Sequence, residues 1–188
     1  MARKLPKPVS KEEFNKILEA AKKDREHFRK PRSKKLTPRG VRINQYMVAM
    51  ILGFGSGMRI SEIVGGKNVP ALTQDRVGRD MITVVSGKGG KDRPVPKPKL
   101  LNAEAIKCLP LTISRRQLQR YVQDLGLKVL KKHITFHMLR HGFVTHAIES
   151  GMPIGQVQMF AGHSRLDTTG IYLHVNPKAA LEKYEEVF

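Results

Sequence analysis

The chain has 188 residues, enough for one domain with a real core and too few for two. Its 35 Lys and Arg against 16 Asp and Glu give a formal charge of +19, which calls for a polyanionic partner, nucleic acid first among them. No stretch approaches the roughly 20 apolar residues of a spanning helix, no signal-peptide core opens the chain, and the lone Cys108 excludes an internal disulfide, so the sequence reads as soluble and intracellular with Cys108 a buried apolar thiol.

In chain order, residues 1 to 9 are basic and contain prolines, the composition of an extended arm. Ser10-Lys11-Glu12-Glu13 fits a capping box, and Phe14, Ile17, Leu18 and Ala21 recur at helical spacing, which predicts a helix ending near Phe28. Residues 29 to 40 form a basic loop, and a largely apolar helix follows from Val41 to Phe54, apolar enough to belong in the interior. Met81 to Val85 is a short β-branched strand, and Gly87-Lys88-Gly89-Gly90 separates it from Arg93-Pro94-Val95, a hairpin pattern whose second strand the prolines assign to an edge. Helices are predicted near 101 to 107, 114 to 125, 138 to 150, 154 to 160, 167 to 174 and 177 to 187. The fold class is therefore α+β and mainly α, helices around a small antiparallel sheet.

The chemistry begins at Gly55-Ser56-Gly57-Met58-Arg59-Ile60-Ser61-Glu62. Glycines allow a tight turn out of the apolar helix, placing Arg59 at the start of the next one with Glu62 a turn further on; an arginine steered by its own carboxylate suits phosphate, although alone the two read as a surface pair. No Gly-Lys-Ser or Gly-Lys-Thr follows at the spacing a nucleotide-binding P-loop requires. Lys88, flanked by glycines at the hairpin tip, can reach a groove, but alone it is a solvated basic turn. His137 and Arg140 share a helix face at i, i+3, at an N-terminal end open to an anion. A zinc site of His137, His141 and His163 would want glutamate at position 138, where Met138 stands. Tyr172 lies on an apolar stretch where a tyrosine is ordinarily core.

Together the ordered phrases Gly57-Met58-Arg59-Ile60-Ser61-Glu62-Ile63, Gly87-Lys88-Gly89-Gly90-Lys91-Asp92-Arg93, His137-x-Leu139-Arg140-His141, and Gly162-His163-Ser164 with Thr168-Thr169 and Tyr172 resemble the tyrosine recombinase (phage integrase) family over residues 10 to 176. The resemblance implies the DNA breaking-rejoining catalytic core as the fold. It implies that Tyr172 attacks the scissile phosphorus to give a 3′-phosphotyrosyl link, Arg59 and Arg140 hold the nonbridging oxygens with His163 as an added donor, Lys88 protonates the 5′ oxygen, and His137 takes part in proton transfer with the tyrosine. Glu62 supports Arg59, no cofactor or metal is needed, and Lys34, Lys35, Arg39, Lys91 and Arg93 are candidate DNA contacts. Tyr121 and Tyr184 are rival tyrosines without a Gly-His phrase before them. A type IB topoisomerase or a noncatalytic DNA-binding protein of the same fold are the alternatives.

The sequence departs from the family pattern at Gly142, where threonine or serine often follows Leu-Arg-His, and at Ala161, where leucine usually precedes Gly-His. A separate N-terminal core-binding domain is expected to be absent, since only residues 1 to 9 precede Ser10; the chain is read as a piece of a longer enzyme or a minimal member, with the arm and the 29 to 40 loop partly replacing the clamp. Residues 177 to 188 form a helix with Ala180, Leu181, Tyr184 and Val187 on one stripe; in the family such a tail often docks on a neighbouring protomer, and packing on its own domain is the alternative. The expected partners are double-stranded DNA and three further copies in a homotetramer on paired sites, with a monomer in its absence. The expected location is the cytoplasm, at the nucleoid of a prokaryotic or virus-infected host, and not a membrane.

Overall fold

A computed structural model describes residues 7–85, 92–162 and 177–188 of the chain. The hairpin tip with Lys88 and Lys91, the helix expected over 167 to 174, and residues His163 and Tyr172 lie outside the described residues.

Helix α1 (Lys11–His27) begins as its sequence demands. Ser10 accepts from the Glu13 amide at 3.2 Å and Glu13 accepts from the Ser10 amide at 3.1 Å, the reciprocal capping box, and Phe14, Ile17, Leu18 and Ala21 are buried. Helix α2 (Pro38–Gly55) starts three residues before the expected Val41, because Thr37 caps the Gly40 amide and Pro38 occupies the first turn, where a missing N–H costs nothing. From Tyr46 to Gly55 every residue of α2 is buried. At about 1.5–3 kcal/mol for each large apolar side chain taken from water, this helix is the main source of the fold's stability. It packs on α1 on one side and on α6 (Phe136–Glu149) on the other.

The short α3 (Ile60–Val64) follows a tight turn at Ser56 to Met58, and the chain then reaches strands β1 (Met81–Val84) and β2 (Arg93–Pro96). They form a two-stranded antiparallel sheet in the register Ile82 with Val95 and Val84 with Arg93. Ile82, Val84 and Val95 all turn into the core. Helices α4 (Ala103–Ile106) and α5 (Arg115–Leu125) are capped by Asn102 and Ser114, and α5 runs on through an unforeseen π-helical turn, Gly126–Leu130, that ends where Lys131 takes a left-handed conformation. Helix α6 starts at Phe136, one to two residues before expectation, with Thr135 as its cap, and α7 spans Ile154–Ala161.

Two expectations are corrected. The arm cannot run through residue 9, because Val9 is 1% exposed and its amide donates to Met138 O. Cys108 is half-buried and hydrogen-bonded, its sulfur taking the Asn44 amide at 3.1 Å, where a wholly apolar pocket was expected. The last helix, α8 (Pro177–Val187), packs on its own domain in this single chain, one of the two dockings the sequence leaves open, with Ala180 and Tyr184 buried among Phe143, Val157 and Phe160. Among the described residues no helix is long and apolar enough to cross a membrane.

Candidate functional site

The site is built where α2 ends, α6 begins and α7 ends. Gly57 adopts φ +65°, which only glycine takes without strain, and a Cβ there would lie 2.5 Å from the Phe143 ring. With no side chain, residue 57 packs directly on α6 and turns the chain so that Arg59 becomes the N-cap of α3. Met58 is fully buried and anchors the turn.

Glu62, only 7% exposed, is the hub. It accepts from the Arg59 amide at 2.7 Å and Arg59 Nη1 at 2.9 Å, and a second arginine grips it from the sheet: Arg93 donates from Nη1 at 2.9 Å and Nη2 at 3.0 Å. Burial alone would raise the Glu62 carboxyl, but the hydrogen bonds and charge of Arg93 and then Arg59 outweigh it and hold it below the usual carboxylate range. The expected Arg59–Glu62 pairing is therefore present, but as part of a mostly buried cluster, not a surface pair.

Arg93 lies elsewhere than expected. Placed among the DNA contacts, it instead points inward, its side chain 10% exposed, with Nε donating to Phe160 O at 3.0 Å. The signal was in the alternation of the hairpin: Arg93 sits opposite Val84 and two residues from Val95, so it shares their inward face. It is the site residue that motif reading misassigned.

Arg140 enters from the first turns of α6, 2% exposed, with Nη1 donating to Gly57 O at 2.6 Å. Burial, with the charges of Arg59 and Arg93 adding, lowers its guanidinium to about 9, still protonated at neutral pH. His137, one turn earlier, is exposed and meets His141 edge to face with ring centroids 4.3 Å apart. Both imidazoles are held below their ordinary value by partial burial, then by neighbouring cationic groups.

Gly162 closes the cluster. It is the left-handed C-cap of α7 at φ +62°, its carbonyl accepts from Arg59 Nη2, and a Cβ there would lie 2.7 Å from the Arg93 guanidinium carbon. The glycine of the Gly-His phrase is thus required by both backbone conformation and the arginine stacked on it. His163 follows it in sequence.

The structure therefore brings together Arg59, Glu62, Arg140 and Gly162, adds Arg93, and keeps His137 on the helix that carries Arg140. Two guanidiniums, Arg59 and Arg93, share the Glu62 carboxylate and a third, Arg140, lies within its field, leaving these four side chains with two positive charges in excess. Near the N-terminal end of α6, such a concentration is arranged for an anion. Of the expected DNA contacts, Lys34, Lys35 and Arg39 are exposed, with Arg39 stacked 4.5 Å over the Phe28 ring. Tyr184 and Tyr121 serve packing: Tyr184 is buried with its hydroxyl on Gly55 O at 2.8 Å, and Tyr121 stacks on Tyr46.

Comparison with known proteins gives the family and the fold. The sequence profile of the phage integrase family matches residues 7–179. The tyrosine recombinase XerA of Pyrococcus furiosus is 30% identical over 96% of this chain and 62% of its own length. The chain spans about three fifths of the curated relatives it matches. In fold it is similar to the integrase from mycobacterium phage Brujita, with a TM-score of 0.69 at 18% identity, covering all of this chain and 60% of that one. It is also similar to the XerH site-specific recombinase bound to difH substrate, TM-score 0.64 at 21% identity, covering 94% of this chain and 53% of that one.

Proposed function

The chain belongs to the phage integrase family, and from that premise we propose that it is the catalytic part of a site-specific DNA recombinase that cuts and rejoins strands through Tyr172. The observation that carries this reading is the arginine cluster: Arg59 is held by Glu62 and the Gly162 carbonyl and Arg140 by the Gly57 carbonyl, beside an Arg93 that grips the same Glu62, in a cationic niche next in sequence to His163. A niche of this kind holds the two nonbridging oxygens of a phosphodiester and gains strength as charge grows toward a phosphorane-like transition state. Fixed guanidiniums reorganise little when that charge appears.

In the proposed reaction the Tyr172 oxygen attacks phosphorus, its proton passing to His137. The bond to the 5′ oxygen breaks and Lys88 protonates that leaving oxygen, with His163 as a further donor to the phosphoryl group. The DNA keeps its bond energy in a 3′-phosphotyrosyl link, so the 5′-hydroxyl of a partner strand can reverse the step without nucleotide or metal. A free tyrosine hydroxyl titrates near 10, and the imidazole of His137, held below its ordinary value, is neutral and able to accept at pH 7.

Double-stranded DNA is the proposed substrate, in keeping with the +19 charge and with the DNA-bound state of the XerH relative. Lys34, Lys35, Arg39 and Lys91 are proposed backbone contacts, and a homotetramer on paired sites, at the nucleoid, is the proposed assembly.

The test is a covalent trap. Nicked duplexes of pooled random sequence, which after cleavage lose the short fragment bearing the new 5′-hydroxyl, should give an adduct with the wild-type chain that survives denaturation, and none with Tyr172→Phe. An adduct that Tyr172→Phe still forms, or no adduct from the wild type, refutes the reading.

A further inference from the structure

Three successive residues of the turn before Arg59, Gly55 to Gly57, are each held from a different element. Gly55 O accepts the Tyr184 hydroxyl of α8 at 2.8 Å, Ser56 Oγ donates to Pro96 O of β2 at 2.7 Å, and Gly57 O accepts Arg140 of α6 at 2.6 Å. The same α8 packs on α6 through aromatic rings. Tyr184 stacks on Phe188 with centroids 4.7 Å apart, Phe188 stacks on Phe143 at 5.4 Å, and the Phe143 ring is what a Cβ on Gly57 would strike. Tyr184 itself is 2% exposed, and its hydroxyl meets one of the carbonyls that a helix C-terminus leaves without an intrahelical partner.

We propose that Tyr184 is a positioning residue for the phosphate niche: its hydroxyl, seated by the docking of α8 on this same domain, fixes the Gly55–Gly57 turn and through it the placement of Arg59 and Arg140. The inference rests on reading those arginines as the phosphate cradle. Its physical basis is that three hydrogen bonds tie the turn to other elements. Met58 anchors it in the core and the Ser56 and Met58 amides donate to Leu52 O, but Gly55 and Gly57 carry no side chains of their own, so their carbonyls and the Ser56 hydroxyl make the hydrogen bonds that register the turn against β2, α6 and α8. Removing the hydroxyl at 184 leaves a buried carbonyl without that donor and frees one of the three holds, while the ring and its stacking stay in place.

The experiment uses the full chain, with Tyr184→Phe as the probe and Ala21→Gly as a control that weakens α1 away from the turn. Single-turnover cleavage is followed on the nicked duplex recovered from the covalent trap, alongside DNA affinity and thermal stability. Tyr184→Phe should lower the maximal cleavage rate about tenfold, the scale of a small misplacement of catalytic groups, and leave the DNA dissociation constant unchanged. Ala21→Gly should melt lower yet cleave at the wild-type rate. Equal rates for wild type and Tyr184→Phe overturn the proposal, as does an equal slowing by Ala21→Gly, which would reduce the effect to stability.

A second readout is independent of strand transfer. Inorganic phosphate titrated into ¹⁵N-labelled protein should shift the Arg140 Nε–Hε resonance, with an affinity about fivefold weaker in Tyr184→Phe. If the wild type forms no DNA adduct but phosphate binding weakens in this way, strand transfer is refuted and the brace stands. If phosphate binds both proteins equally, the brace is refuted whatever the DNA result.

Discussion

Replacing Glu62 by glutamine should unfold the protein earlier and expose what the arginine cluster costs. Glutamine keeps the size and one acceptor oxygen, so no cavity opens, but Arg93 loses the carboxylate it grips and Arg140 the negative charge beside it. Breaking a buried ion pair by removing one partner costs about 3–5 kcal/mol. Arg59 is 38% exposed and its half of the interaction is screened by solvent, whereas Arg93 is 10% exposed and carries most of the effect, which places the loss near about 3 kcal/mol. For a domain of this size that is a fall in Tm of about 6–12 °C, measured by circular dichroism at pH 7. The pH dependence supplies a check. The Glu62 carboxyl is depressed in the fold, so its stabilisation is complete above the ordinary value of 4.5 and is lost as pH falls through the lower folded value. Wild type and variant should therefore differ most near neutrality and converge in acid. An unchanged Tm at pH 7, or a gap that widens on acidification, refutes the reasoning.

Three other outcomes follow from single contacts. Gly162→Ala must place a Cβ 2.7 Å from the Arg93 guanidinium at a positive φ, and calorimetry should show a loss of about 1–2 kcal/mol from the left-handed conformation alone, with more from the displaced arginine. Gly142→Thr introduces a residue common elsewhere in the family but sets a Cβ 2.2 Å from Val9 O, so hydrogen exchange at the Val9 amide should accelerate sharply while the α6 core stays protected. The His137 imidazole should titrate below its ordinary 6.5 by NMR, and filling the niche with phosphate should move it upward, because an anion offsets the cationic field of Arg140 and Arg59 that adds to its partial burial. A midpoint indifferent to phosphate contradicts an anion site there.

Much of this was legible in the sequence. The capping box at Ser10, the apolar run of α2, the stripe on α8 and the pairing of Arg59 with Glu62 depend on residues close in the chain, and local spacing reports them. Less legible was whatever depends on contacts across the chain. Val9 is core because it crosses α6 at a glycine, and no local pattern around Val9 announces that. Arg93 carries a charge next to a basic hairpin, and composition assigned it to the surface; its register opposite Val84 assigned it to the interior, and the structure follows the register. The start of α2 differs for another reason: Pro38 falls in the stretch read as a basic loop, whereas its place after Thr37 makes it a helix starter.

The account's central claim is that this chain joins itself to DNA through Tyr172. The most direct measurement is the identity of both partners in the trapped adduct: digestion should leave nucleotide mass on the peptide containing Tyr172, attached through a 3′-phosphate, with a 5′-hydroxyl on the released strand that a kinase can label. Nucleotide mass on Tyr121 or Tyr184, or a link to the 5′ end, contradicts it.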